Sequence, residues 1–240
     1  MLNIWKRFSY YGIGFVIGLI FVIFFFQNRG CAWLPANRVK NTILDKVLVV
    51  PEDEWQRMQE IGLKKEDVLS FLNDGKVLFK SSLKDMNVYP KVYVFEKKKR
   101  NDNIRLQFSL YDDSFIALVH HLEGESEAQR YEQLEGHGVF LRVPRDSALV
   151  FVDPSKFTQC KASGLDYPDK ENIEKQLART GSINLGKSNL MLPKAEHHLL
   201  FEEIGGRKIE GKAIWFESRI TFKDFFWDEP LPCEESFSNL

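Results

Sequence analysis

The sequence predicts an α+β protein: an N-terminal transmembrane helix followed by two similar units, each of two short helices packed on an antiparallel sheet. Three observations carry that expectation. Residues 10–26 form one uncharged apolar run. The stretches 48–122 and 150–227 carry the same landmarks in the same order. Inside each stretch, short helical patterns that end at glycine precede strand-like alternation. The implied organisation is a tail over 1–9, a transmembrane helix over 10–27 and a juxtamembrane linker over 28–46. A first unit over 47–122, a linker over 123–138, a second unit over 139–229 and a tail over 230–240 follow.

The apolar run reads YYGIGFVIGLIFVIFFF. At about 1.5 Å per residue it spans roughly 26 Å, close to the ~30 Å hydrocarbon core. Trp5, Tyr10 and Tyr11 stand at one end and Trp33 beyond the other, as interfacial anchors do. The rival reading, a cleavable signal peptide, needs small residues at its cleavage site. Here Phe24, Phe25 and Phe26 run into Gln27, Asn28 and Arg29. A lipoprotein signal would use Cys31, and Asn28-Arg29-Gly30 is a poor approach to a lipidated cysteine. The expectation is therefore an uncleaved anchor in the lipid bilayer of a cell membrane, with the C-terminal domain on the exported side. Lys6 and Arg7 on one flank nearly balance Arg29, Arg38 and Lys40 on the other, so charge alone does not orient it. Gly14 and Gly18 make a small-xxx-small pattern suited to self-association.

The two units align by ordered landmarks. Trp55-Gln56-Arg57-Met58 runs into Gly62-Leu63, and Phe157-Thr158-Gln159-Cys160 runs into Gly164-Leu165. A second helix follows from about Glu66 to Asn73, and from about Glu171 to Arg179. Gly75 and Gly181 end these helices, as a glycine just past a helix does. Strands come next: Val92 to Glu96, Ile104 to Leu110 and Phe115 to His121, with Tyr111-Asp112-Asp113-Ser114 as a turn. Residues 104–122 align without a gap on 209–227. Residues 123–130, EGESEAQR, are polar and unpatterned, which reads as the linker.

Composition bounds the function classes. The chain has 240 residues, 44% hydrophobic and 28% charged, with net charge −1. Those are ordinary globular values, and without a basic excess nucleic acid is not an expected partner. The three cysteines, Cys31, Cys160 and Cys233, do not form a disulfide framework. Cys160 aligns with Met58 at an apolar helix position, which predicts a buried thiol. Pairing of Cys31 with Cys233 stays open.

No catalytic, cofactor or metal residue is assigned. His120-His121 and His197-His198 invite a metal. Adjacent strand residues point to opposite faces, so each pair offers one ligand to a given ion. Lys97-Lys98-Lys99-Arg100 sits at a hairpin tip, where a solvated basic loop competes with contact to phosphates or anionic lipid. Asp112-Asp113 reads as turn chemistry.

The Arg-Met pair, the Gly-Leu corner, the acidic helix, the glycine and the small sheet resemble a bacterial family known as domain of unknown function 4258. Residues 53–122 carry the likeness, and the second unit looks like a diverged relative. The resemblance implies a fold similar to small toxin-type ribonucleases. Members often carry His four residues before the arginine; that position is Asp53 here and Ser155 in the second unit. The arginine is Arg57, replaced by Gln159 in the second unit. The leading functional expectation is a non-enzymatic, envelope-facing interaction or structural module. One alternative is a membrane-tethered ribonuclease-like enzyme acting through Arg57 with Asp53. Another is anionic-lipid binding through the basic tips.

Overall fold

A computed structural model of the chain describes residues 11–23, 34–99, 102–124, 126–145, 148–153, 170–202 and 208–227. It divides into two compact units, 1–41 and 42–240. The first holds helix α1 over 11–23 and most of helix α2 (Pro35–Leu44). The thirteen described residues of α1 rise only about 20 Å. Among the described residues no helix is long and apolar enough to cross a membrane. That corrects the expected transmembrane helix over 10–27.

The larger unit begins in the last turn of α2, where Ile43 is buried. It continues through strand β1 (Val47–Pro51), helices α3 (Glu52–Glu60) and α4 (Lys65–Asp74), and strands β2 (Lys76–Val77), β3 (Lys91–Lys99), β4 (Asp102–Leu110) and β5 (Ile116–Leu122). Then come β6 (His137–Arg142), β7 (Val150–Val152), helix α5 (Lys170–Thr180), β8 (Ser182–Asn189), β9 (Glu196–Glu202), β10 (Lys208–Phe216) and β11 (Arg219–Trp227).

All eleven strands join one sheet, ordered β2-β3-β4-β5-β1-β6-β8-β9-β10-β11-β7. This corrects the expectation of separate, purely antiparallel sheets. β1 lies parallel to β5 and β7 lies parallel to β11. A strand whose chain leaves through helices can return beside its start in parallel, which a tight hairpin cannot achieve. β6 runs antiparallel to both β1 and β8 and so stitches the halves together. The first half runs β2-β3-β4-β5-β1 and the second β8-β9-β10-β11-β7, the same order. Registers differ slightly: Phe95 faces Leu106, whereas Phe201 faces Ile209.

Local chemistry explains the elements. Glu52, Asp53 and Glu54 fill the first turn of α3, where carboxylates complement the helix dipole. Gly62, at φ +76°, turns the chain after α3 in a conformation that a side chain would strain. The Lys64 N–H donates to Asp67 Oδ2 at 2.9 Å and caps α4. Gly138 in β6 permits the central close approach, since a Cβ there would meet Val49 Cγ1 at 2.5 Å.

One apolar core spans both halves. It takes Val47, Val49, Phe115, Ile116 and Leu118 from the first half and Ile173, Leu177, Phe201 and Phe222 from the second. The buried Met58, Val68, Phe71 and Leu72 of α3 and α4 lie outside that cluster. Strand alternation sends Leu48 and Val50 to the other face from Val47 and Val49, and all four are buried.

Candidate functional site on α3 and the β4–β5 face

Arg57 sits on the outer face of α3. Its NH2 donates to Asp53 Oδ2 and pairs with Glu54 Oε2, each at 2.9 Å. The i,i+4 and i,i+3 spacings bring both carboxylates onto its side of the helix. The Arg57 side chain is 61% exposed. Glu54 is largely covered, and its Oε1 accepts from the His121 N–H at 3.0 Å. One carboxylate therefore joins α3 to the end of β5.

His120 lies opposite Gln107 in the β4–β5 ladder, so the two side chains share a face. His120 is 6% exposed and stacks on Tyr131 at 4.2 Å between ring centres. Burial pushes its pKa down to about 4, with Asp53 opposing and Arg57 adding to the shift. Its Nδ1 is buried without a partner. The imidazole is therefore neutral at pH 7.

Residues 126–134 cross this face as an extended strap with no strand of their own. The Gln107 amide donates to Gln129 O at 3.1 Å and accepts from the Gln129 N–H at 3.0 Å. Tyr111 OH donates to Tyr131 O at 2.7 Å, and burial raises its phenol pKa. Arg130 Nε donates to Pro90 O at 3.1 Å, and its NH2 pairs with Asp85 at 2.5 Å. That guanidinium holds the Asp85 carboxyl below its usual range. Beside the strap lies a groove of about 800 Å³, lined by Lys80, Ser81, Glu96, Asn103, Arg105 and Glu127 among others.

The remaining sequence candidates are scattered. His197 is fully buried, with Nδ1 3.2 Å from Ala213 O and Nε2 2.7 Å from Ser114 Oγ. A carbonyl can only accept, so Nδ1 carries the hydrogen and Nε2 accepts from the Ser114 hydroxyl. Ser114 Oγ in turn accepts from the Ile116 N–H at 3.0 Å. This serine–histidine pair is sealed in the core and offers no nucleophile to a substrate. Nothing in the sequence marks it, because 83 residues separate the partners. His198 meets Glu210 at 2.7 Å, and Lys187 holds the same carboxylate. Among the described residues no group of three or more His, Cys, Asp or Glu side chains is placed to hold a metal.

The basic tip is largely neutralised by α4. Lys97 pairs with Asp74 at 3.1 Å and Lys99 with Asp67 at 2.7 Å. Arg100, Ser155, Gln159, Cys31, Cys160 and Cys233 lie outside the described residues.

The arrangement of Arg57 on α3 and His120 on β5, joined by a helix pair and an antiparallel ladder, coincides with a known domain. Residues 55–120 match the family model of a domain of unknown function. That segment is similar to DUF4258 domains; the match begins two residues before Arg57 and ends on His120. No curated protein and no solved structure matches the chain.

Proposed function

We propose that this protein is a non-enzymatic, envelope-facing interaction module. The state of Arg57 carries the reading: its guanidinium is already held by two carboxylates at 2.9 Å. Cleavage of a phosphodiester needs a free cation for the phosphate and an acid or base that titrates near pH 7. The His120 imidazole, within electrostatic reach of Arg57, is buried and titrates at about 4. Repeated affinity capture with the full chain from solubilised membranes is expected to recover a stoichiometric partner. Consistent failure to recover one counts against the module.

Attachment to lipid belongs to the same proposal, and helix α1 supports it. Tyr11, Phe15, Ile20 and Phe21 are each more than half exposed. An apolar helix uncovered around its circumference needs an apolar cover. The full chain should float with liposomes, and the Phe15→Lys, Phe21→Lys double variant should remain in the aqueous fraction. Equal flotation of both would end this part of the proposal.

A ribonuclease-like enzyme is the second reading, favoured by one observation. The unpartnered His120 Nδ1 lies within electrostatic reach of Asp53 and Arg57. It requires RNA cleavage that Arg57→Ala abolishes. The substitution should cost under about 1 kcal/mol of stability, because the pair is exposed. We expect the full chain to leave RNA intact.

A further inference from the structure

The connection from β5 to β6 is longer than its task. β1 lies between these strands, and Leu118 and Gly138 pair with Val49 and Pro51 near its end. The gap is two strand spacings, roughly 10 Å, which three or four residues can cross. The chain uses fourteen, residues 123–136. Connections of that length without secondary structure are uncommon, and most are either functional or plain linkers.

The detour lays the strap along a row of donors. Arg105, Gln107, Ser109 and Tyr111 recur at every second position and so share one face of β4 and its extension. Arg105 NH1 donates to Gly124 O at 3.3 Å, Gln107 to Gln129 O and Tyr111 to Tyr131 O. Two side chains of this face thus take backbone carbonyls of the strap, Arg105 takes that of Gly124 ahead of it, and Gln107 also takes an N–H. Such contacts read a peptide backbone and are indifferent to most side chains.

The fit is incomplete in a patterned way. Arg105 Nε, Ser109 Oγ and His120 Nδ1 are buried without a partner. Arg105, Ser109 and His120 all belong to this same face of β4 and β5. Buried polar groups are rarely left unpaired, and here a better-matched occupant would pair them.

We infer that the β4–β5 face is a docking site for an extended peptide segment of a partner protein, with residues 126–134 as the chain's own stand-in. This rests on the interaction-module reading and names the partner's chemistry. The peptide presents backbone carbonyls to Gln107 and Tyr111 and an aromatic ring to His120, where Tyr131 now stacks. It also carries two polar side-chain oxygens, one that reaches Arg105 and a second, about four strand positions on, that reaches Ser109. The groove beside Arg105 and Lys80 receives its end.

The test uses the full chain and a fluorescent peptide with the strap sequence, SEAQRYEQL, read by anisotropy. The tethered strap competes at high effective concentration, so the wild-type chain binds weakly. Arg130→Ala removes the contacts to Asp85 and Pro90 while leaving the face intact. It should tighten peptide binding by about three- to tenfold, by raising the open fraction. Asp85→Asn removes the arginine contact from strap and peptide alike, so it should leave peptide binding near the wild-type level. Adding Gln107→Leu to Arg130→Ala should weaken binding at least tenfold, with circular dichroism unchanged. Faster exchange of the Gln129 amide in Arg130→Ala without peptide binding would overturn the proposal. So would unchanged exchange, because the strap would then be permanent cover. Capture of a partner that cross-links elsewhere would leave the module reading standing and remove this site alone.

Discussion

Acidification from pH 7 to pH 5 is expected to remove about 4 kcal/mol of folding stability through two histidines alone. His120 and His197 are held neutral by burial, with pKa values near 4 and near 3. In the unfolded chain both titrate near 6.5. The unfolded state therefore binds more protons below pH 6.5, and stability falls as pH falls. The loss continues until the pH reaches the folded values. Between pH 6 and 5 the slope approaches two protons, about 2.7 kcal/mol per pH unit. Neighbouring charges do not rescue either ring: burial outweighs the help that Asp53 gives His120, which Arg57 partly offsets, while Lys46 and His198 both disfavour charge on His197. Asp67, Asp85 and Glu210 have lowered pKa values, so their contributions disappear only below the ordinary carboxylate range. Urea unfolding at intervals from pH 7 to 5 reads the slope directly. His197→Gln and His120→Gln should each remove about one proton from it, whatever they cost at pH 7. Stability flat across this interval would show that the buried imidazoles are not the source. For a domain stabilised by roughly 5–15 kcal/mol, the predicted loss is a large fraction.

Residue patterns with local causes were legible in the sequence, and those set by long-range pairing were not. The helices over 52–60 and 65–74 announce themselves through acidic first turns and the glycines that follow. The alternation in 91–99 and 102–110 announces a hairpin. Nothing local tells Val47–Pro51 to lie parallel to β5, because that depends on where α3 and α4 return the chain. The apolar run of 10–26 looks like a membrane span by composition, yet among the described residues no helix is long and apolar enough for that role. Arg57 was readable as a candidate, but its two carboxylate partners follow from helical spacing that the motif alone does not weigh. Residues 123–130 look like a linker because they are polar. It is the backbone of Gln129 that meets Gln107, and this becomes visible only once β4 supplies the opposite surface. The pairing of Ser114 with His197 carries no sequence signal, since 83 residues separate the two until the sheet closes over them.

Phe115→Ala is expected to lower stability by about 3–5 kcal/mol, the usual cost of truncating a buried phenylalanine. The ring is 1% exposed and lies 3.9 Å from the His197 ring and 6.0 Å from that of Trp215, between centres. It belongs to the first half and packs on side chains of β9 and β10 in the second. Its carbonyl also accepts from the Val47 N–H at 2.8 Å, which fixes the entry to β1. Truncation leaves a cavity beside a histidine whose polar partners are Ser114 and a backbone carbonyl. Because one core holds residues of both halves, the wild-type larger unit should unfold in a single transition. Phe115→Ala should move that transition to lower urea without splitting it, and with the slope on denaturant unchanged. Phe95→Ala makes the informative contrast: Phe95 packs edge-on against Phe108 at 4.8 Å and lies outside the shared core. It too should shift one common transition, since β6 ties β1 to β8 by backbone pairing. A second transition that keeps the wild-type midpoint in either variant would show the halves folding independently. The continuous sheet would then be an assembly of two separately stable domains, with Phe115 as contact between them and not as part of a common core.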